Sequence, residues 1–278
     1  MFVFQFIIWP IFGTLVFVLL LLMLGLVWII EYFGGLWICT LILQSLMWPL
    51  FRFSLLSFGN LRIKGSEHIR GHKAGAIIAA NHSTQLDPFL IPATLNPLSS
   101  LMPMHYVSRE RDFYEIRGLS RYIYGGLVFK IFGAYSATVG MKDFEKMLAN
   151  HIELLCKGRS VCIFPEGGIN KSGELSRGKP GVAYLLWRTG RPIIPAVIYG
   201  HTQIKAREFF SRSRNIVVSY GAPITKEGIF GPNADAIVPT HDELIEAAQI
   251  IMSRIRELQV SCIEDELKAA KGLQVIPE

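Results

Sequence analysis

Charge is almost absent from the first 51 of the 278 residues, where Glu31 is the sole charged side chain. Without a Lys or Arg, residues 1–30 lack the basic start of a secretory signal peptide, and the apolar run is about twice as long as such a core. The segment is therefore expected to be retained. Cysteine is scarce too: Cys39, Cys156, Cys162 and Cys262 show neither a paired metal spacing nor a disulfide-dense pattern, which suits a reducing cytosol. His105, His151, His201 and His241 lack metal-ligand spacing relative to one another, so no metal is expected. Gly-x-Ser-x-Gly is missing, which argues against a serine-nucleophile elbow. There is no internal repeat, and no interleaving of aromatic and basic residues of the kind an RNA-binding sheet needs, so nucleic acid is set aside as a partner.

What is present in excess is apolar. Hydrophobic residues make up 51% of the chain and the mean hydropathy is positive, which points to association with a bilayer. A helix over residues 9–28 would extend roughly 28 Å, close to the hydrocarbon thickness, with Trp9 and Trp28 suited to the two interfaces. A second apolar stretch, 36–51, is shorter at roughly 24 Å and can cross, dip or lie in the interface. Gly34-Gly35 between the two makes a helical hairpin plausible. Arg52, Arg62, Lys64, Arg70 and Lys73 follow with Glu67 alone opposing them, which places that side of the anchor in the cytoplasm. Beyond residue 51 there are 28 basic and 21 acidic side chains, a net of +7 that favours an anionic lipid surface.

After the anchor the pattern is that of an α/β domain. Residues 61–65 alternate like a short strand, and 76–80, 160–164, 192–198 and 215–220 are compact apolar runs suited to buried strands. Residues 116–132 are aromatic and basic. Helical spacing appears over 142–156, stopped by Gly158, and over 180–188, closed by Gly190. Thr240 and Glu243 form a capping box ahead of a long amphipathic helix. Ser83 or Thr84 is expected to cap a helix carrying Pro88 in its first turn.

Two strand ends carry chemistry. In Asn81-His82-Ser83-Thr84-Gln85-Leu86-Asp87 a turn can fold the carboxylate back beneath the imidazole. One ring nitrogen would then be held in a fixed tautomer, leaving the other to take a proton from an alcohol. Phe164-Pro165-Glu166-Gly167-Gly168 joins a rigid turn, an acid for an acceptor's polar head, and two glycines whose amides can meet a developing oxyanion. Taken singly, a His-x4-Asp pair is usually a satisfied surface pair and Pro-Glu-Gly-Gly usually a turn. Their joint occurrence at two strand ends about eighty residues apart, behind an apolar anchor, is far more specific. Arg109 and Arg111 read as a charged loop with alternating signs, apart from this site.

Asn81-His82-x4-Asp87, Phe164-Pro165-Glu166-Gly167 and Pro192-Ile193-Ile194-Pro195 together resemble the glycerophospholipid acyltransferase family, typified by 1-acylglycerol-3-phosphate acyltransferases, over about residues 60–225. The resemblance implies a mostly parallel central sheet flanked by helices, with residues 1–57 as a membrane-embedded hairpin and 58–278 as the acyltransferase domain. It makes His82 and Asp87 the catalytic dyad and sets Glu166 and Gly167 in acceptor binding; Asn81 and Gly168, next to these motifs, are read as substrate-binding as well. The donor would be acyl-CoA or acyl-carrier protein, the acceptor a membrane lysophospholipid, and no cofactor is implied. Two departures stand out. Residues 133–138 lack the arginine the family usually carries between the motifs, and Gly168-Ile169-Asn170 replaces the usual Thr-Arg-Ser. Arg177 and Lys179 are the cations left to compensate. A phosphate-free lyso-lipid acceptor, hydrolysis with water as nucleophile, and a non-catalytic lipid-binding role stay open as alternatives.

Overall fold

The computed structural model describes residues 35–72, 75–109, 127–138 and 143–270, preceded by the helical positions Thr14, Val18, Leu21, Leu22 and Gly25. The rest of the expected 9–28 span lies outside the described residues, as do Glu31, Lys73, Arg111 and most of the 116–132 stretch.

The second apolar stretch is one continuous helix, α1 (Leu36–Ser57). It runs past residue 51 because Arg52 does not end it: the guanidinium donates to the Ala93 carbonyl at 3.1 Å. At 1.5 Å per residue it extends roughly 33 Å, enough to cross a bilayer, and its composition from Trp37 to Ser57 is apolar enough to do so. Its polarity is inverted relative to a water-soluble surface helix. Thr40 and Gln44 are buried, whereas Ile38, Ile42, Leu46, Leu50 and Phe53 are exposed. Gln44 closes two hydrogen bonds on Met104, donating to its carbonyl at 2.7 Å and accepting from its amide at 2.8 Å. Trp48 donates from Nε1 to the Leu95 carbonyl at 2.9 Å.

Seven strands form one sheet: β1 (Arg62–Lys64), β2 (Ile77–Ala80), β3 (Met104–Arg109), β4 (Ala134–Ala137), β5 (Ser160–Ile163), β6 (Ile193–Tyr199) and β7 (Val217–Tyr220), in the order β1-β7-β6-β2-β5-β3-β4. Pairing is parallel everywhere except between β6 and β7. The central strands are apolar without alternation because helices cover both faces. Ile78 and Ala80 point into a core shared with Leu55, Ile91 and Leu95. Ile77 and Ala79 point into the other, with Leu155, Leu185 and Ile251.

The remaining helices are α2 (Asp87–Thr94), α3 (Leu127–Ile131), α4 (Phe144–Met147), α5 (Ala149–Cys156), α6 (Gly181–Thr189), α7 (Ala206–Phe210), α8 (Lys226–Phe230) and α9 (His241–Ala270). Gly190 closes α6 in the left-handed region at φ +63°, and the Thr240/Glu243 box opens α9. The helix expected over 142–156 breaks at the buried Leu148 (φ −110°, ψ 15°). Two of the basic residues that follow the anchor are paired within the chain, Arg62 with Glu266 at 3.3 Å and Lys64 with Asp265.

Candidate active site

Because β6, β2, β5, β3 and β4 run parallel, their carboxyl ends lie along one edge of the sheet, where open α/β sheets place their ligands. Sequence segments far apart therefore meet there: Asn81-His82 after β2, the 164–168 turn after β5, Gly200-His201 after β6, and Arg109 at the end of β3. Asn81 fixes the junction. Its Oδ1 accepts from the Ile198 amide at 2.7 Å and its Nδ2 donates to the Ile198 carbonyl at 3.0 Å, so the side chain extends the β2–β6 ladder by one step.

The turn after His82 folds back as the spacing predicts. His82 Nδ1 lies 2.8 Å from Asp87 Oδ2. The same oxygen accepts from the amides of Ser83 at 2.7 Å and Thr84 at 3.0 Å. Thr84 Oγ1 donates to Oδ1 at 2.8 Å. The capping expectation is thereby corrected: Leu86 occupies the cap position with no side-chain cap, and Ser83 and Thr84 give their amides to Asp87, the first residue of α2. Pro88 behind it sets where the helix can begin. Asp87 is fully buried, and burial alone would raise its pKa. The hydrogen bonds from His201, His82 and Thr84 outweigh that cost and hold the carboxyl well below the usual carboxylate range. The His82 ring stacks on Phe164 with centroids 4.1 Å apart and planes 14° apart, which fixes its plane.

The second motif is zipped to the first. Glu166 Oε1 accepts from the His82 amide at 3.0 Å, and the Asn170 amide donates to the His82 carbonyl at 2.7 Å. Glu166 Oε2 accepts from Ser176 N at 3.1 Å and Ser176 Oγ at 2.8 Å. Both carboxylate oxygens thus brace the two loops against each other. Gly167 sits at φ +72°, a conformation that favours glycine. Its amide closes a turn onto the Phe164 carbonyl at 2.9 Å, so the oxyanion expectation passes to Gly168. A Cβ on Gly167 would meet Lys179 Nζ at 2.6 Å, so that ammonium lies against the loop. The Lys179 amide also donates to the Pro165 carbonyl at 2.8 Å. Arg177 is exposed two residues earlier.

Two residues enter that the spacing alone did not place here. Arg109, read as part of a charged loop, is the last residue of β3, and its Nη2 and Nε donate to the Gly167 carbonyl at 2.5 and 3.2 Å. His201 Nε2 lies 2.5 Å from Asp87 Oδ1. The available signals were weak: Arg109 closes an apolar strand, and His201 follows a glycine at a strand end. Among the described residues, no group of three His, Cys, Asp or Glu side chains is placed to hold a metal ion.

An acyltransferase family model matches residues 60–199, half of the chain. The chain is 26% identical over 159 residues to a chloroplastic 1-acyl-sn-glycerol-3-phosphate acyltransferase of Arabidopsis thaliana, covering 54% of this chain and 39% of that protein. It is 24% identical over 163 residues to a 1-acyl-sn-glycerol-3-phosphate acyltransferase of Borreliella burgdorferi, covering 58% and 57%. The matched part thus spans well under two thirds of either relative. The crystal structure of the 1-acyl-sn-glycerophosphate acyltransferase PlsC from Thermotoga maritima shares the fold with a TM-score of 0.50 and 17% identity, over 87% of this chain and 96% of that one. With the family model spanning both motifs and the strand edge that joins them, the chain belongs to the glycerophospholipid acyltransferase family.

Proposed function

We propose that the protein transfers a fatty acyl group from a thioester, acyl-CoA or acyl-carrier protein, to the free hydroxyl of a lysophospholipid, with 1-acylglycerol-3-phosphate as acceptor. The observation that carries this reading is the buried Asp87 paired to His82 Nδ1 beside a loop flanked by Arg109 and Lys179. With Nδ1–H donated to Asp87, His82 Nε2 is the basic nitrogen. It takes the acceptor's hydroxyl proton as the oxygen attacks the thioester carbonyl carbon. The tetrahedral intermediate collapses by breaking the C–S bond, and the imidazolium returns its proton to the departing thiolate. Base catalysis of this kind supplies about two to four orders of magnitude. Positioning and an oxyanion contact from the Gly168 amide supply the rest.

Arg109 and Lys179 answer the family arginine missing from 133–138: a phosphate placed against the Gly167 turn would meet two cations, and Arg177 adds a third at its rim. Glu166 acts on the acceptor indirectly, by fixing that turn. We place the entry of the acyl chain at the small apolar pocket between α1 and α2, lined by Met47, Trp48, Phe51, Phe89, Pro92 and Phe132. We place the exposed apolar face of α1 in the bilayer, residues 1–57 as anchor and 58–278 as catalytic domain on the cytoplasmic side, so that the acceptor's tail enters without crossing water.

The test is thioester-dependent acylation of a panel of phosphate-bearing and phosphate-free lyso-lipids by the wild type and His82→Ala. Transfer lost in the variant, with phosphate-bearing acceptors preferred, is the expected result. Free fatty acid released without acceptor would replace transfer by hydrolysis.

A further inference from the structure

The dyad has a partner on its far side that the acyl-transfer mechanism does not use. His201 is 3% exposed, its Nε2 lies 2.5 Å from Asp87 Oδ1, and its buried Nδ1 has no hydrogen-bond partner among the described residues. Two features of the backbone deliver it. The Asn81 clamp on Ile198 fixes where β6 ends relative to β2. Gly200 at φ +87° then turns the chain so tightly that a Cβ there would collide with the Asn215 carbonyl. His201 follows at once and enters beneath Asp87, with its own carbonyl accepting from the Ile204 amide at 3.2 Å.

The chemistry of the two ring nitrogens is unequal. An imidazolium would put a second N–H at Nδ1, where the described residues offer no acceptor, and a buried unsatisfied donor is costly. A neutral ring with its proton on Nε2 loses only a lone-pair contact and donates to the carboxylate. Asp87 then carries the local negative charge alone, its two oxygens divided between the histidines: Oδ1 to His201 and Thr84 Oγ1, Oδ2 to His82 and the amides of Ser83 and Thr84. The titratable and charged groups facing this array are His82 on the open side, Glu166 across the His82 amide, and the buried Cys162 thiol, which feels the carboxylate's charge. Arg109 and Lys179 lie farther out, at Gly167.

Resting on the acyl-transfer reading of the same site, we propose that His201 is a positioning residue that donates from Nε2 to Asp87 Oδ1, locking the carboxylate so that Oδ2 alone faces His82 and tempering the charge that His82 feels. Without that donor Oδ1 is held by Thr84 Oγ1 alone, and the carboxylate's charge bears more fully on the His82 imidazolium. His82 would then have to lose a more tightly held proton before acting as a base.

The experiment compares wild type, His201→Ala and His201→Gln as full chains in lipid-containing micelles, with folding checked by circular dichroism. For His201→Ala, kcat is expected to fall roughly ten- to a hundredfold, the range for partners that orient a reactive group. Acceptor KM should stay unchanged and the acidic limb of the kcat profile should move to higher pH. His201→Gln, whose Nε2–H can reach the same oxygen, should restore most of the rate and return the limb. A folded His201→Ala with wild-type kcat overturns the proposal, as does a loss that neither moves the limb nor responds to Gln. The His82 Nδ1 proton resonance in protein carrying 15N-histidine keeps this separate from the function itself. Should the wild type transfer no acyl group, a downfield proton shifted in His201→Ala and recovered in His201→Gln still supports the lock, and one unchanged in His201→Ala overturns it.

Discussion

Asp87 accepts five hydrogen bonds from four residues while being wholly removed from water. A buried carboxylate persists only when it is satisfied in this way, and the consequence is that its identity matters twice. In Asp87→Asn the amide oxygen can still accept from the Ser83 and Thr84 backbone, so the turn after His82 is retained. The new NH2 group would then face a ring nitrogen. Because the Ser83 and Thr84 amides point at the oxygen that faces His82, the NH2 group faces His201, and His82 keeps an acceptor for Nδ1–H but loses the carboxylate charge that stabilises its imidazolium. The expected result is a kcat reduced on the order of 10³- to 10⁴-fold, as for the loss of the aspartate charge behind a base histidine. Acceptor binding should be nearly unaltered. Steady-state kinetics with circular dichroism of the variant checks it, and a modest loss of kcat with a large rise in KM would mean that Asp87 serves acceptor binding instead.

At the scale of elements, α1 turns its polar stripe inward and its apolar residues outward, with Leu46 and Leu50 69% and 61% exposed. Gln44 and Trp48 use their donors on the backbone around β3 and α2, so the helix is registered to the sheet and its flanking helix by hydrogen bonds. A label on the outward face should therefore sit in hydrocarbon. Nitroxides at Leu46→Cys and Leu50→Cys in liposomes are expected to be relaxed by oxygen and shielded from a water-soluble nickel chelate; equal access of the two relaxants would put this face in water. Much of this organisation was legible in the chain. Strands 76–80, 160–164 and 192–198 announce themselves because both their faces are covered and no charged residue interrupts them. Gly190 and the Thr240/Glu243 box mark helix ends by local chemistry, and His82 and Asp87 meet within one turn. Arg109 and His201 were not legible as site residues because their partners lie 58 and 114 residues away along the chain, and only the parallel sheet order brings those strand ends together. The continuation of α1 past Arg52 was hidden for the same reason, since the charge is satisfied by the Ala93 carbonyl.

The molecule as a whole buries two further histidines away from the site, and they set how its stability responds to acid. His105 on β3 and His151 on α5 are both fully buried, and His105 Nε2 and His151 Nδ1 have no hydrogen-bond partner among the described residues. Their other nitrogens lie 3.1 Å from the Ser160 carbonyl and 3.3 Å from the Tyr106 carbonyl. Burial, reinforced for His105 by Arg159 and His151 nearby, lowers both from the ordinary 6.5 to about 4. Above pH 6.5 neither state of the protein binds these protons, and stability does not depend on them. Between about 6.5 and 4 the unfolded chain takes them up while the folded one does not, so stability falls as pH falls, and below about 4 this contribution levels off. The full effect is on the order of 3 kcal/mol per histidine. Asp87, held well below its ordinary 3.8, adds a second loss that begins only in more acidic solution. The apparent melting midpoint of the micelle-bound protein is therefore expected to drop steadily from pH 7 to pH 4.5. His105→Asn, whose Nδ2–H replaces the Nδ1–H on Ser160 but cannot titrate, should remove about half of that slope, and a midpoint flat across the interval in the wild type would show that both rings are solvated.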